Sequence, residues 1–147
     1  CRLAKDVEVI KGAKDSSGDW ENLKAYIQLT KDLDFSVLSG NASLILPALK
    51  EGGVGGIAGC SNVYPKVLSS IYELFQEGKL DEAQAAQDSI ASFRAVFKYG
   101  NPNTVVKTAA MLGYNVGKCR APFNYVPEEG LEAIKKVLAE NAAKGLN

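Results

Sequence analysis

Residues 7–19 read VEVIKGAKDSSGD, an apolar run that gives way to small turn-forming residues. The apolar run predicts a buried strand over residues 7–13. Because side chains alternate along a strand, Ile10, Gly12 and Lys14 would share one face, where the small Gly12 leaves room. Lys14 therefore stands at the carboxyl end of a predicted strand, with space beside it.

Two interpretations of Lys14 compete on this local evidence. Barrel enzymes place their chemistry at the carboxyl ends of strands, where a desolvated lysine amine gives up its proton and attacks a carbonyl group. A lysine that ends a strand can equally extend its ammonium group into solvent. By its spacing Lys11 is an equally good candidate for the functional amine, although its side chain falls on the opposite face of the strand. Local sequence alone slightly favours the solvent-exposed interpretation.

The rest of the chain alternates between strands and helices and then becomes entirely helical. Further strands are predicted at Phe35–Leu38 and Gly55–Ala58. A helix is predicted after Asp19, capped by Asp19 or by Ser17. A second helix is predicted over residues 42–51, in which Pro47 either causes a kink or marks a late start. Four more are predicted, namely Pro65 to about Gln76, one long helix from Leu80, Thr104–Leu112, and Pro127 to about Ala143. Such alternation implies parallel strands joined by right-handed crossovers. We therefore predict an α/β fold with strands in residues 1–77 and a helical region in residues 78–147.

Composition argues against several classes of function. The 17 basic residues balance the 17 acidic ones, which disfavours nucleic acid or an anionic membrane as a partner. There is no histidine, and Cys1, Cys60 and Cys119 are far apart, so we expect no zinc site and no histidine-based triad. We also expect no cofactor. Free thiols suit the cytoplasm, and no apolar stretch is long enough to cross a bilayer.

The glycine-rich stretch GGVGGIAG, residues 52–59, matches G-x-G-x-x-A at Gly53, Gly55 and Ala58. In a dinucleotide-binding loop such glycines follow a strand and open a helix, whereas these glycines lead into a strand. Close backbone packing in a crowded strand is therefore the favoured interpretation.

Four segments together resemble the dihydrodipicolinate synthase and N-acetylneuraminate lyase family. The first, GAKDSSGD, is similar to that family's G-I-K-[DE]-x-[ST]-G signature. The others are FSVLSGNASLILPALKEGGVGGIAGCSNVYPK, FKYGNPNTVVKTAAMLG and GKCRAPF, which follow in the family's order and spacing. The resemblance covers essentially the whole chain.

The resemblance implies the carboxy-terminal part of a (β/α)₈ barrel, namely strands six to eight, plus a carboxy-terminal helical region. It implies a class I, pyruvate-dependent aldolase or lyase that needs no metal. Lys14 would be the lysine that forms a Schiff base with pyruvate, and Gly40 and Ile57 would line the pyruvate pocket with backbone atoms. An aldehyde would be the second substrate, and a cytoplasmic homotetramer is expected from the family.

Within the family, the resemblance favours the dihydrodipicolinate synthase reaction, which joins pyruvate to aspartate semialdehyde in lysine biosynthesis. N-acetylneuraminate lyase or a 2-keto-3-deoxygluconate type aldolase is the alternative. Two departures stand out: Asn41 occupies a position where synthases often carry Asp, which leaves the second substrate open, and Lys11 replaces an apolar residue.

Several family motifs have no match in this chain. These are the tyrosine that relays protons, a Thr-Thr pair on an early strand of the barrel, and the arginine that binds the second substrate's carboxylate. We therefore expect the amino-terminal half of the barrel to be missing. A function of another class stays open on this basis, namely a catalytically incompetent half-barrel that only associates with its missing half or with itself.

Overall fold

A computed structural model describes residues 2–123 and 125–146, and Cys1 lies outside the described residues. Strands and helices alternate in the first half of the chain, and helices follow. The elements are α1 (Arg2–Asp6), β1 (Gly12–Asp15), α2 (Trp20–Thr30), β2 (Ser36–Ser39), α3 (Ile45–Glu51), β3 (Gly55–Gly56), α4 (Pro65–Gln76), α5 (Leu80–Ser89), α6 (Ala91–Arg94), α7 (Pro102–Met111) and α8 (Glu128–Ala143). The predicted α/β class is confirmed.

The three strands form one parallel sheet in the order β1-β2-β3. The strand predicted over residues 7–13 is wrong in its bounds and in its burial. Residues 7–10 form a turn after α1, in which the Val7 amide donates to the Leu3 carbonyl and the Ile10 amide donates to the Val7 carbonyl. Val9 is consequently 87% exposed, and the sheet begins at Gly12. The third strand is also shorter than the predicted Gly55–Ala58, since it spans only Gly55–Gly56, and a 3₁₀ turn follows at Gly59–Asn62.

A small core, called here the strand-side core, lies between the sheet and the helices that follow its first two strands. Its buried members are Leu23, Ile27, Val37 and Ala48. Asp19 caps α2 by accepting hydrogen bonds from the amides of Glu21 and Asn22, so the predicted cap is confirmed for Asp19.

Helix α3 shows how local sequence fixes a boundary. A 3₁₀ turn precedes it at Ala42–Leu44, and the α-helix starts at Ile45, which places Pro47 in its first turn, where a missing amide costs little. The predicted late start is therefore confirmed. Gly52 ends the helix with φ of 109° and donates from its amide to Leu49.

The long helix predicted from Leu80 is wrong, because it is divided into α5, α6 and a 3₁₀ turn at Ala95–Tyr99. Ser89 donates its hydroxyl to the carbonyl of Ala86, and such bonds to the preceding turn bend helices. Helix α4 starts at Pro65 and ends at Gln76 as predicted.

A larger core, called here the helical core, joins α3 and α4 to the helices that follow. Its largest buried side chains include Phe93, Leu46, Ile71, Ile90 and Ile134. This core is continuous across residue 77, and the division of the chain at that point stays a prediction. Among the described residues, no helix is both long and apolar enough to cross a bilayer.

Candidate active site

Lys14, Gly40 and Ile57, the three residues singled out in the sequence, line one cavity of about 460 Å³. Each lies at or just beyond the carboxyl end of its strand. The carboxyl ends of parallel strands meet at one edge of a sheet, which is where α/β enzymes assemble their sites. The fold therefore brings together residues that are up to 43 positions apart in the sequence.

The register of the sheet explains this convergence. Lys14 lies opposite Leu38 in β2, and Ser39 at the end of β2 lies opposite Gly56 in β3. The amide of Ile57 donates a 2.8 Å hydrogen bond to the Ser39 carbonyl, which extends the ladder one residue beyond β3. The position of Ile57 is thereby set by backbone bonds.

Gly40 has a steric reason to be glycine. Its amide donates a 2.6 Å hydrogen bond to the carbonyl oxygen of Asp15, which draws the two backbones together directly beside Lys14. A Cβ added at Gly40 would lie 2.8 Å from that oxygen and would also collide with the hydroxyl of Ser16. The close approach of β1 and β2 at this edge therefore needs a residue without a side chain.

The buried Asp15 side chain holds the turn that follows Lys14. Its carboxylate accepts hydrogen bonds from the Ser17 amide at 3.1 Å, the Ser17 hydroxyl at 2.8 Å and the Asn22 side-chain amide at 3.2 Å. These bonds tie the end of β1 to the first turn of α2. The backbone that carries Lys14 is thus fixed on its carboxyl side.

Lys11, the alternative amine, lies outside this cavity. Its Nζ atom forms a 2.8 Å salt bridge with Asp34, and both side chains are largely exposed. The hydrogen bond from Lys11 lowers the pKa of the Asp34 carboxyl group below its ordinary value. The structure therefore separates the two lysines that the local sequence left comparable.

The helical region lines another part of the cavity, and sequence reasoning missed this contribution. Its lining side chains there are Arg94, Phe97, Pro102, Asn103 and Val106. No local motif marks Arg94, since a single basic residue in a helical pattern usually indicates a solvated face.

The cavity wall is positively charged. Lys14 and Arg94 are its charged residues, and none of the described residues that line it is acidic. Ser16, Asn41 and Asn103 add neutral polar groups. Such a wall favours an anionic ligand. Asn41 also has a structural role, because its Oδ1 atom accepts a 3.0 Å hydrogen bond from the Ser43 amide.

Cys60 forms a buried part of the same wall. Burial raises the pKa of its thiol above the ordinary value, and the nearby positive charge of Arg94 opposes that rise. The thiol therefore stays protonated at neutral pH, when it is a poor nucleophile. In the described part of the chain, no group of three or more His, Cys, Asp or Glu side chains is placed to hold a metal ion.

The model of the dihydrodipicolinate synthetase family matches residues 1–141. The chain belongs to this family. The resemblance seen in the sequence motifs is thereby confirmed, and it extends over nearly all of the chain.

Individual relatives agree with this assignment. The chain is 38% identical over 138 residues to the 4-hydroxy-tetrahydrodipicolinate synthase of Methanospirillum hungatei, covering 93% of this chain and 47% of that protein. It superimposes on the crystal structure of the dihydrodipicolinate synthase of Thermotoga maritima with a TM-score of 0.88 and 26% identity, covering 96% of this chain and 49% of that one. A variant of the 2-keto-3-deoxygluconate aldolase of Sulfolobus solfataricus gives a TM-score of 0.81 at 25% identity, covering 97% and 49%.

The chain therefore spans about half the length of the curated relatives it matches. The described residues form a partial α/β unit with a three-stranded parallel sheet.

Proposed function

We propose that this chain supplies the Schiff-base half of a class I, pyruvate-dependent aldolase, and that its reaction is that of 4-hydroxy-tetrahydrodipicolinate synthase. In this proposal β1, β2 and β3 are strands six, seven and eight of an eight-stranded barrel. Strands equivalent to one to five pair with the open edges of β1 and β3. The curated relatives support this choice, since those with 32–38% identity are named as this synthase.

The proposed chemistry begins at the Nζ atom of Lys14. The amine adds to the keto carbon of pyruvate to give a carbinolamine, which loses water to form an imine. The imine withdraws electrons, so a methyl proton leaves and an enamine forms. The enamine carbon then attacks the aldehyde carbon of aspartate semialdehyde, the imine re-forms, and the aldehyde oxygen takes up a proton. Water adds to the imine carbon, the bond from that carbon to Nζ breaks, and the keto product leaves with the Lys14 amine restored.

One observation carries the proposal, namely that Lys14, Gly40 and Ile57 line the same cavity. The backbone around Gly40 and Ile57 shapes the cavity wall beside the amine, and the Ile57 side chain takes no part in the chemistry. The proton-relay tyrosine would come from outside this chain. Lysine biosynthesis, a cytoplasmic location and a homotetramer remain predictions from the family.

Borohydride trapping tests the proposal directly. The protein in its natural full-length form is incubated with pyruvate and reduced, and the intact mass and the modified peptide are determined. We expect one adduct on Lys14, absent from Lys14→Ala and unchanged in Lys11→Ala, because Lys11 is paired with Asp34 outside the cavity. A wild-type protein that gives no adduct would refute the Schiff-base mechanism.

The choice of second substrate needs a separate assay. Turnover with pyruvate and aspartate semialdehyde would support the synthase reaction. Cleavage of a keto sugar acid in place of that condensation would favour the 2-keto-3-deoxygluconate type alternative.

A second candidate function is association without catalysis. Among the described residues, β1 and β3 each pair with β2 alone, so each presents an unpaired edge. Beside the β3 edge lies a groove of about 610 Å³ whose lining includes Val54 and Tyr72, which are 47% and 44% exposed. Unpaired edges beside apolar surface promote pairing with another chain.

Analytical ultracentrifugation of the 147-residue chain tests this second function. Self-association together with no adduct on Lys14 would favour a half-barrel that only associates. A well-folded monomer that forms the adduct would exclude it.

A further inference from the structure

Gln87 is a polar side chain on the apolar face of α5. Ala83 lies one turn before it and Ile90 about one turn after it, and both are buried in the helical core. Gln87 is buried with them, with only 6% of its surface exposed. A buried amide is costly unless its hydrogen bonds are formed, so the partners of Gln87 explain its place in this face.

Both ends of the Gln87 amide bond to the backbone that leads from β2 into α3. The Nε2 atom donates a 2.7 Å hydrogen bond to the Ala42 carbonyl, which lies 45 positions away in the sequence. The Oε1 atom accepts a 3.0 Å hydrogen bond from the Leu46 amide, which lies 41 positions away. Gln87 therefore fastens the helical region to the segment that follows β2.

Helix α3 depends on Gln87 to satisfy its first turn. The amides of a first turn have no carbonyl partner within their own helix. Leu44, which precedes α3, offers no side-chain acceptor, and Leu46 is fully buried. Gln87 thus acts as a cap supplied by another helix, and without it the Leu46 amide would be left buried and unpaired.

The other partner, Ala42, lines the cavity together with Gly40 and Asn41. These residues belong to residues 40–44, called here the β2–α3 turn. The sheet side of this turn is held by Ser39, whose hydroxyl accepts from the Asn41 amide at 3.2 Å and donates to the Asn41 carbonyl at 3.0 Å. Gln87 holds the other side. It is not among the described residues that line the cavity, so it can act on a ligand only through this turn.

We propose that Gln87 is a positioning residue for the chemistry at Lys14, because it holds the β2–α3 turn and with it the backbone of Gly40 that faces the keto acid. This inference rests on the proposed function of the cavity. It adds to that function a buried residue of the helical region that touches neither the substrate nor the reactive amine.

Pyruvate trapping with a matched control tests the inference. In the natural full-length protein, Gln87→Met keeps the length of the side chain but loses both hydrogen bonds, so the half-saturating concentration of pyruvate should rise roughly three- to tenfold. Asn141→Leu also removes a buried amide with two hydrogen bonds, to Ser92 and Tyr64, and should leave that concentration unchanged. A folded Gln87→Met with the wild-type value, or equal rises in both variants, would overturn the inference.

Gln87→Glu adds a pH dependence that a general loss of packing would not produce. The introduced carboxyl group can donate to the Ala42 carbonyl only when it is protonated, whereas both of its forms accept from the Leu46 amide. The ratio of its half-saturating pyruvate concentration to that of the wild type should be near one at about pH 6 and rise towards about pH 9, since a buried carboxyl group ionises well above its ordinary pKa. Gln87→Met should give a constant ratio. If Gln87→Met does not fold, a ratio in Gln87→Glu that is independent of pH would overturn the inference.

Amide hydrogen exchange separates this inference from the proposed function. Exchange over residues 40–46 should be faster in Gln87→Met than in the wild type and unchanged in Asn141→Leu, with or without pyruvate. A wild type that forms no adduct would refute the aldolase proposal, and faster exchange in Gln87→Met would then still show that Gln87 holds the turn. Unchanged exchange in Gln87→Met would refute the positioning role even where the adduct forms.

Discussion

The strand-side core and the helical core are built from the same kinds of apolar residues but differ in size and surroundings. Among the described residues, the strand-side core joins four buried side chains beneath a sheet in which β1 and β3 each pair with β2 alone. The helical core joins residues from α3 to α8 and includes the fully buried Phe93 and Ile134. The helical side is thus packed on its own, while the sheet depends on additional strands for full burial.

The part of the molecule that contributes most of the buried packing therefore differs from the part that carries the proposed reactive amine. The proposed reactive amine and the glycine beside it belong to the weakly packed side. The helical side supplies Arg94 and Phe97 to the cavity from a well-packed base. Substitutions in the helical core should therefore mainly lower the free energy of unfolding. Substitutions at the strand ends should mainly lower the yield of the pyruvate adduct on Lys14.

The largest effect on stability is expected at Phe93. Phe93→Ala removes a fully buried ring that packs edge-on against Tyr64 and Phe97, so it should cost roughly 3–5 kcal/mol of the free energy of unfolding. Val37→Ala in the strand-side core loses two methyl groups and should cost about 1.5 kcal/mol. Urea denaturation followed by circular dichroism measures both. Equal costs would show that the two cores contribute alike.

A smaller loss of stability but a clear loss of chemistry is expected at Gly40. Gly40→Ala would push its methyl group against the Asp15 carbonyl oxygen and the Ser16 hydroxyl, at a cost of roughly 1–3 kcal/mol. Lys14 directly precedes Asp15 and Ser16, so a shift of their backbone also displaces the Lys14 amine. The yield of the pyruvate adduct should therefore fall even where most of the protein stays folded. The control is Gly113→Ala, whose added methyl group meets nothing within 4 Å. Unchanged trapping in Gly40→Ala would contradict the steric argument.

Local sequence predicted the features that depend on few neighbours. Pro65 marks the start of α4 and Asp19 caps α2, because both effects act within one turn. The motif around Lys14 placed it at the carboxyl end of a strand, and the structure agrees.

Features that depend on the tertiary structure were not predictable in the same way. The apolar run Val7-Glu8-Val9-Ile10 predicts a strand, yet within the described part of the chain no strand pairs with these residues, and they form a turn instead. Arg94 lies 80 positions from Lys14, so no spacing could place both in one cavity. Only the tertiary structure brings them together, since both residues line the same cavity.

The smallest expected effect concerns pH and again separates the two sides. Burial raises the pKa of the Cys60 thiol and of the Tyr64 phenol, both in the helical core, although the hydrogen bond from Asn141 opposes the rise at Tyr64. An acid with a raised folded-state pKa contributes stability that is complete below its unfolded pKa, about 8.5 for Cys and 10 for Tyr, and that is lost at higher pH.

The free energy of unfolding should therefore fall as the pH rises above about 8.5, by at most about 1.4 kcal/mol per pH unit for each group. Urea titrations at several pH values between neutrality and pH 10 measure this slope. Cys60→Ala should flatten it between about pH 8.5 and 10, where an unfolded cysteine ionises before an unfolded tyrosine. A slope unchanged by Cys60→Ala would mean that the thiol is solvated in the folded protein, and the helical core would then be more open at the cavity than its packing implies.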